Sequence, residues 1–199
     1  MIVVVEGISA CGKSTWCSRH GQGQVIAENG RFDHVPDPRE NPDAAATFWA
    51  ERNADRWRAA LALEQASSWV ICDTDPLKLH YIWCLWQIGK ARKQDWQLQL
   101  AATRDTFAQG RIGFADTYLV GQIDPVLARQ RASADLTRRR SKFELHVRLQ
   151  PALLKWYSAL DRVLPGRVQF GFPMARPPKE NQSERYSLQA FDRLIALLA

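Results

Sequence analysis

The sequence predicts an α/β fold of three layers, with helices on both sides of a sheet. Five short apolar runs alternate along the chain with stretches of helical periodicity. The first run, "IVVVE", is β-branched and unbroken, the pattern of a central parallel strand buried on both faces. A glycine-rich turn, "GISACGKST", follows it at once and opens a helix.

At 199 residues the chain can form one domain, residues 1–199, around a substantial core. Its 46% hydrophobic and 24% charged residues exclude disorder and fibrous architecture. Eight tryptophans are many for this length and are expected in the core or in groove walls. The opening "MIVVVEG" has only a short apolar run with no basic region before it, so it reads as a strand and not as a signal peptide. No apolar run reaches the roughly 18 to 20 residues that span a bilayer, so the expectation is a cytoplasmic protein with no membrane partner. Cys11, Cys17, Cys72 and Cys84 show no metal-ligand spacing and are expected as reduced thiols. The net charge of +6 is concentrated in "RQRASADLTRRRSK" (129–142). A compact arginine segment suits a small polyphosphate better than a nucleic-acid duplex, so nucleic acid is not the expected partner.

Each element has its own sequence signal. Lys13 to about His20 can be helical, with Gly21 and Gly23 stopping it. "QVIAEN" (24–29) reads as the second strand, and the Pro, Asp and Gly content after it marks a loop. Residues 43–68 are alanine-rich at helical spacing and run into "SSWVICD", a third buried strand ending near Asp73. Pro76 is expected to open the next helix, to about Ile88, and residues 90–109 form another. "ADTYLVGQ" (115–122) is the fourth strand, and Pro125 opens a helix leading to the arginine segment. Residues 143–164 are helical with Pro151 expected as a kink or break, and "GRVQFGF" (166–172) is the fifth strand. A final amphipathic helix places Leu188, Phe191, Ile195 and Leu198 on one face.

Gly7, Gly12, Lys13 and Ser14 satisfy G-x-x-x-x-G-K-[ST] in the strand-to-helix setting its physics requires. The loop backbone through Ser9, Ala10, Cys11 and Thr15 would turn N–H groups toward phosphates, and Lys13 would reach the β and γ phosphates of ATP. Ser14 would sit on Mg²⁺. Asp73 ends an apolar strand and is the expected second metal partner, with Asp75 able to share that role or cap the following helix. Glu28 falls at the end of the second strand, where a carboxylate could take the proton of an attacking hydroxyl, and Arg31 could hold a substrate anion. Arg129, Arg138, Arg139 and Arg140 could close over a triphosphate as a lid and neutralise charge in the transition state. Neither D-x-x-G nor N/T-K-x-D is present, which argues against a GTPase switch.

In element order the chain resembles the P-loop nucleoside and nucleotide kinases, the group of thymidylate kinase and the deoxynucleoside kinases. The likeness runs through "GISACGKST", the acidic ends of strands two and three, and "YLVGQIDPVLARQR". It implies a P-loop NTPase fold with a five-stranded parallel sheet, lid arginines that close on the phosphates, and a loop "PMARPP" near the adenine. "ENGR" (28–31) and "VICDTDPLKLHYIW" (70–83) are locally similar to ribosylnicotinamide kinase domains. That likeness puts Asp73 on the metal side and Glu28 with Arg31 at the acceptor. Thr74 departs from the deoxynucleoside and thymidylate kinases, which carry an arginine there. Phe32, Trp49, Trp57, His80, Tyr81 and Trp83 could wall an acceptor pocket, and Arg52 and Arg56 lie one helical turn apart beside it.

The reading is an Mg²⁺-dependent kinase that uses ATP on a nucleoside-like or nucleotide acceptor. A kinase of another alcohol, such as an antibiotic or sugar, and a nucleotide-dependent regulatory protein stay open as alternatives. Oligomeric state, a homodimer included, is also left open.

Overall fold

The structure is a computed structural model that describes residues 1–28, 32–135, 142–178 and 184–199. Its sheet has five parallel strands in the order β2-β3-β1-β4-β5: β1 (Ile2–Gly7), β2 (Val25–Ile26), β3 (Val70–Asp73), β4 (Thr117–Gly121) and β5 (Val168–Phe170). The helices are α1 (Lys13–Gly21), α2 (Pro42–Ser67), α3 (Leu79–Gln87), α4 (Lys93–Ala108), α5 (Pro125–Ala134), α6 (Phe143–Val163) and α7 (Leu188–Leu198).

All six residues of β1 are buried, as an unbroken β-branched run at the centre of a parallel sheet requires. The register sets Val5 beside Asp73 and Gly7 beside Gly121, so the ends of β1, β3 and β4 meet at one edge. Helix starts follow their caps. The Asn41 side chain accepts from Ala44 N at 3.0 Å ahead of Pro42, and Asp124 accepts from Val126 N at 2.8 Å ahead of Pro125. The tryptophans mostly pack: Trp57, Trp83 and Trp156 are almost fully buried, and the Trp83 and Trp156 rings lie 5.7 Å apart. Trp57 and Trp83 therefore belong to the core and not to a pocket wall. All four cysteines are buried and unbridged, and burial pushes the Cys17 and Cys72 thiols up to about 12.

Three expectations about the elements change. The second and fifth strands are shorter than the sequence suggests because each is an outer strand paired on one side only. Pro151 does not break its helix, since α6 continues through it with the proline exposed. The helix expected from Pro76 begins instead at Leu79. The connection before it is pinned in a non-helical path, with Thr74 at φ 70° and Lys78 at φ 40°, and with the Asp75 Oδ1 accepting from Leu77 N at 3.0 Å. Among the described residues no helix is long and apolar enough to cross a membrane.

Candidate active site

The strand ends open into one cavity of about 1130 Å³. On one side lies the loop between β1 and α1. Gly7 (φ 143°) and Gly12 (φ 105°) hold conformations that side-chain-bearing residues rarely adopt, and a Cβ on Gly7 would meet Gly121 O at 2.8 Å. Ala10 is also left-handed, at φ 67°, and a concave turn of this kind can present backbone N–H groups to an anion. Lys13 Nζ donates to the carbonyls of Gly7 at 2.6 Å and Ile8 at 3.2 Å, which folds the lysine back along the turn. Burial pulls this ammonium down, but Cys11, Glu6, Asp73 and Glu28 together outweigh it and hold it above its usual value. Gly7, Ser9, Ala10, Gly12, Lys13, Ser14 and Thr15 all line the cavity, while Cys11 is buried behind the turn.

Ser14 Oγ donates to Asp73 Oδ2 at 3.3 Å, and Asp73 Oδ1 is buried with no hydrogen-bond partner. Burial raises the Asp73 carboxyl against the pull of Lys13. A hydroxyl beside an under-satisfied carboxylate oxygen is the donor set of a hard cation such as Mg²⁺. Asp75 is placed differently. It is 2% exposed, does not line the cavity, and spends its Oδ2 on the Tyr157 hydroxyl at 3.1 Å. Its carboxylate braces the loop, which corrects its assignment as a metal ligand.

The far side of the cavity is walled by Phe32, Trp49, His80 and Tyr81, with His146 from α6 meeting the Tyr81 ring edge-on at 6.3 Å. Glu28 lines it too and pairs with Lys78, whose ammonium sits 5.9 Å from the Tyr81 ring. Phe172, Pro173 and Met174 close the third side, and Trp16 Nε1 anchors that segment by donating to Pro173 O at 2.8 Å.

The arginines divide. Arg56 is buried and donates to the carbonyls of Asp73, Thr74 and Asp75 at 2.9 to 3.2 Å, so it supports the β3–α3 connection and is not a substrate contact. Arg52 pairs with Asp55 at 2.8 Å outside the cavity, and Arg129 pairs with Glu144 at 2.9 Å outside it as well. Arg131, two residues further along α5, does line it. Arg31, Arg138, Arg139 and Arg140 lie outside the described residues.

Sequence reasoning missed Glu6, Lys78, Asn53, Gln99, Arg131 and His146. Glu6 alone had a usable signal, because it ends an apolar strand just as Asp73 does. It is 4% exposed, and burial would raise its carboxyl, but the hydrogen-bonded His80 with Lys13 and Lys78 holds it well below the usual range.

No protein-family model matches the chain, and no curated protein matches it. Among solved structures it is similar to deoxyadenosine kinase from M. mycoides with bound dATP, at a TM-score of 0.56 and 13% identity over 85% of this chain and 90% of that one. The same enzyme with bound dCTP gives a TM-score of 0.57 at 13% identity over 85% and 89%. With products dCMP and a flexible dCDP bound, the values are 0.54 and 12% over 100% and 97%. At this identity the likeness is one of fold: a five-stranded parallel α/β architecture.

Proposed function

We propose that this chain is a kinase that moves the γ-phosphoryl group of ATP to a hydroxyl of a nucleoside-like small molecule. The observation that carries this reading is the continuous cavity, which joins a phosphate-binding turn to a compartment walled by Phe32, Trp49 and Tyr81. Flat aromatic walls suit a planar heterocycle. The structural neighbours are kinases with deoxynucleotides bound, which supports the same substrate class.

The loop N–H groups and Lys13 would hold the β and γ phosphates. Mg²⁺ would be held by Ser14 and Asp73 and would supply charge neutralisation between the phosphates. The acceptor oxygen attacks the γ-phosphorus, its proton passes to the Glu28 carboxylate, and the bond to the bridging oxygen breaks with its electron pair left on ADP. Lys78, already paired to Glu28, stays beside the reacting hydroxyl. His80 belongs to the acceptor side, and Arg131 lines the same cavity, within reach of the phosphates in this reading.

The test is ADP release from Mg-ATP with a panel of nucleosides, nucleoside monophosphates and nicotinamide riboside. The last is included because of the local likeness to ribosylnicotinamide kinase domains. Strong stimulation by one acceptor is expected; an equally slow rate across the whole panel would overturn the nucleoside reading.

A further inference from the structure

One buried carboxylate touches both halves of the cavity. Glu6 Oε1 accepts from Gly7 N at 3.0 Å, where the phosphate turn begins. Its Oε2 accepts from Asp75 N at 3.1 Å and meets His80 Nε2 at 3.3 Å. Asp75 follows Asp73 in the same connection, and His80 lines the acceptor compartment with its Nδ1 buried and unpartnered. Hydrogen bonds weaken steeply with distance and angle, so one carboxylate keeps all three donors only while the two walls hold this spacing. Tyr157 and Arg56 brace the acceptor side of the connection from behind, and the backbone of β1 braces the donor side. Glu6 is thus a direct polar link between them.

We propose that Glu6 is a positioning residue that couples donor binding to acceptor binding. A nucleoside triphosphate filling the turn fixes Gly7, Gly7 fixes the Glu6 carboxylate, and the carboxylate fixes the His80 ring and the Asp75 N–H against the acceptor. The two ligands therefore bind synergistically, and by linkage each raises the affinity for the other by the same factor. The inference rests on the kinase reading for the identity of the second ligand, but the link from Gly7 to His80 does not.

The test has two arms. In the first, the full chain carries ¹⁵N-labelled histidine, and the His80 Nε2–H signal, assigned with His80→Gln, is followed as a non-hydrolysable Mg-ATP analogue is added. The signal is expected to move in the wild type and to be unresponsive in Glu6→Gln, whose amide cannot accept from all three donors. An equal movement in Glu6→Gln would mean that the nucleotide reaches His80 without Glu6, and would overturn the proposal.

In the second arm, the affinity for the analogue is measured with and without the acceptor that supports turnover. A wild-type ratio of roughly tenfold is expected, within the usual range for coupled sites, falling toward one in both Glu6→Gln and His80→Phe. A role in folding alone would lower stability but leave this ratio unchanged, and an unchanged ratio would also overturn the proposal. His80→Phe leaves Gly7 and Asp75 bonded to Glu6, so it decides the matter if Glu6→Gln fails to fold. If no acceptor is phosphorylated, the kinase reading fails while the histidine signal still decides the coupling.

Discussion

The donor wall of the cavity is one continuous segment, Gly7 to Thr15, whereas the acceptor wall is gathered from Glu28, Phe32, Trp49, the β3–α3 connection and His146. In the proposed mechanism the donor wall works through backbone N–H groups and one lysine, and its shape follows from the left-handed conformations of Gly7, Ala10 and Gly12. The acceptor wall works through side chains, and its shape depends on groups that never face the ligand, chiefly Arg56, Asp75 and Tyr157. A contiguous wall should fail by losing its chemistry; a gathered one should fail by losing its support.

The largest expected effect tests the donor wall. Lys13→Ala should lower kcat by about 10²–10³-fold, the scale for removing one group that stabilises transition-state charge, with the thermal unfolding transition essentially retained. A variant that keeps near wild-type turnover would remove Lys13 from the mechanism.

Arg56→Met tests the other wall from behind. Three buried carbonyls lose their charged donor, so stability measured by urea unfolding should drop by about 3 kcal/mol, and activity should fall because Asp73 is released. A loss of activity with unchanged stability would instead make Arg56 a substrate contact after all.

On α5 a smaller contrast is available. Arg131→Ala should raise the KM for ATP by roughly tenfold, as expected for losing one charged hydrogen bond. Arg129→Ala, whose partner is the exposed Glu144, should change it by less than about twofold. Equal effects would show that both arginines reach the phosphates during turnover.

The smallest effect lies away from both walls. Burial raises the Glu64 carboxyl, but Arg185 and the terminal ammonium of Met1 overcome this and leave it below its usual value. A lowered folded-state value stabilises the fold above the unfolded carboxyl value of about 4.3 and loses that contribution as pH falls through the folded value. Stability should therefore decline on acidification below about pH 4.5, and Arg185→Met should flatten that decline. An unchanged acid profile in Arg185→Met would assign the decline to other carboxylates.

The glycine-rich turn was legible because strand, turn and helix are adjacent in the chain and the pattern of residues sets the turn's shape. Asp73 and the cavity position of Glu28 were legible for a similar reason, since strand ends in a parallel sheet open on one crevice. Asp75 was misread because a carboxylate two residues past a strand looks the same whether it meets a metal or a tyrosine 82 residues away. Arg56 was misread in the same way, as the sequence spacing shows only that it shares a helix face with Arg52.

The sequence by itself determined the central strand, the glycine-rich turn after it, the alternation of strands with helices and the acid that ends the third strand. These are local patterns, written in runs of consecutive residues. Tertiary structure decided which polar groups are spent on scaffolding and which remain for a ligand. Arg56 and Asp75 went to the β3–α3 connection, Lys78 came to Glu28, and Glu6 came to sit between Gly7 and His80. A buried charge must find its partner wherever the fold places one, and that partner is set by packing between distant segments and not by neighbours in the chain.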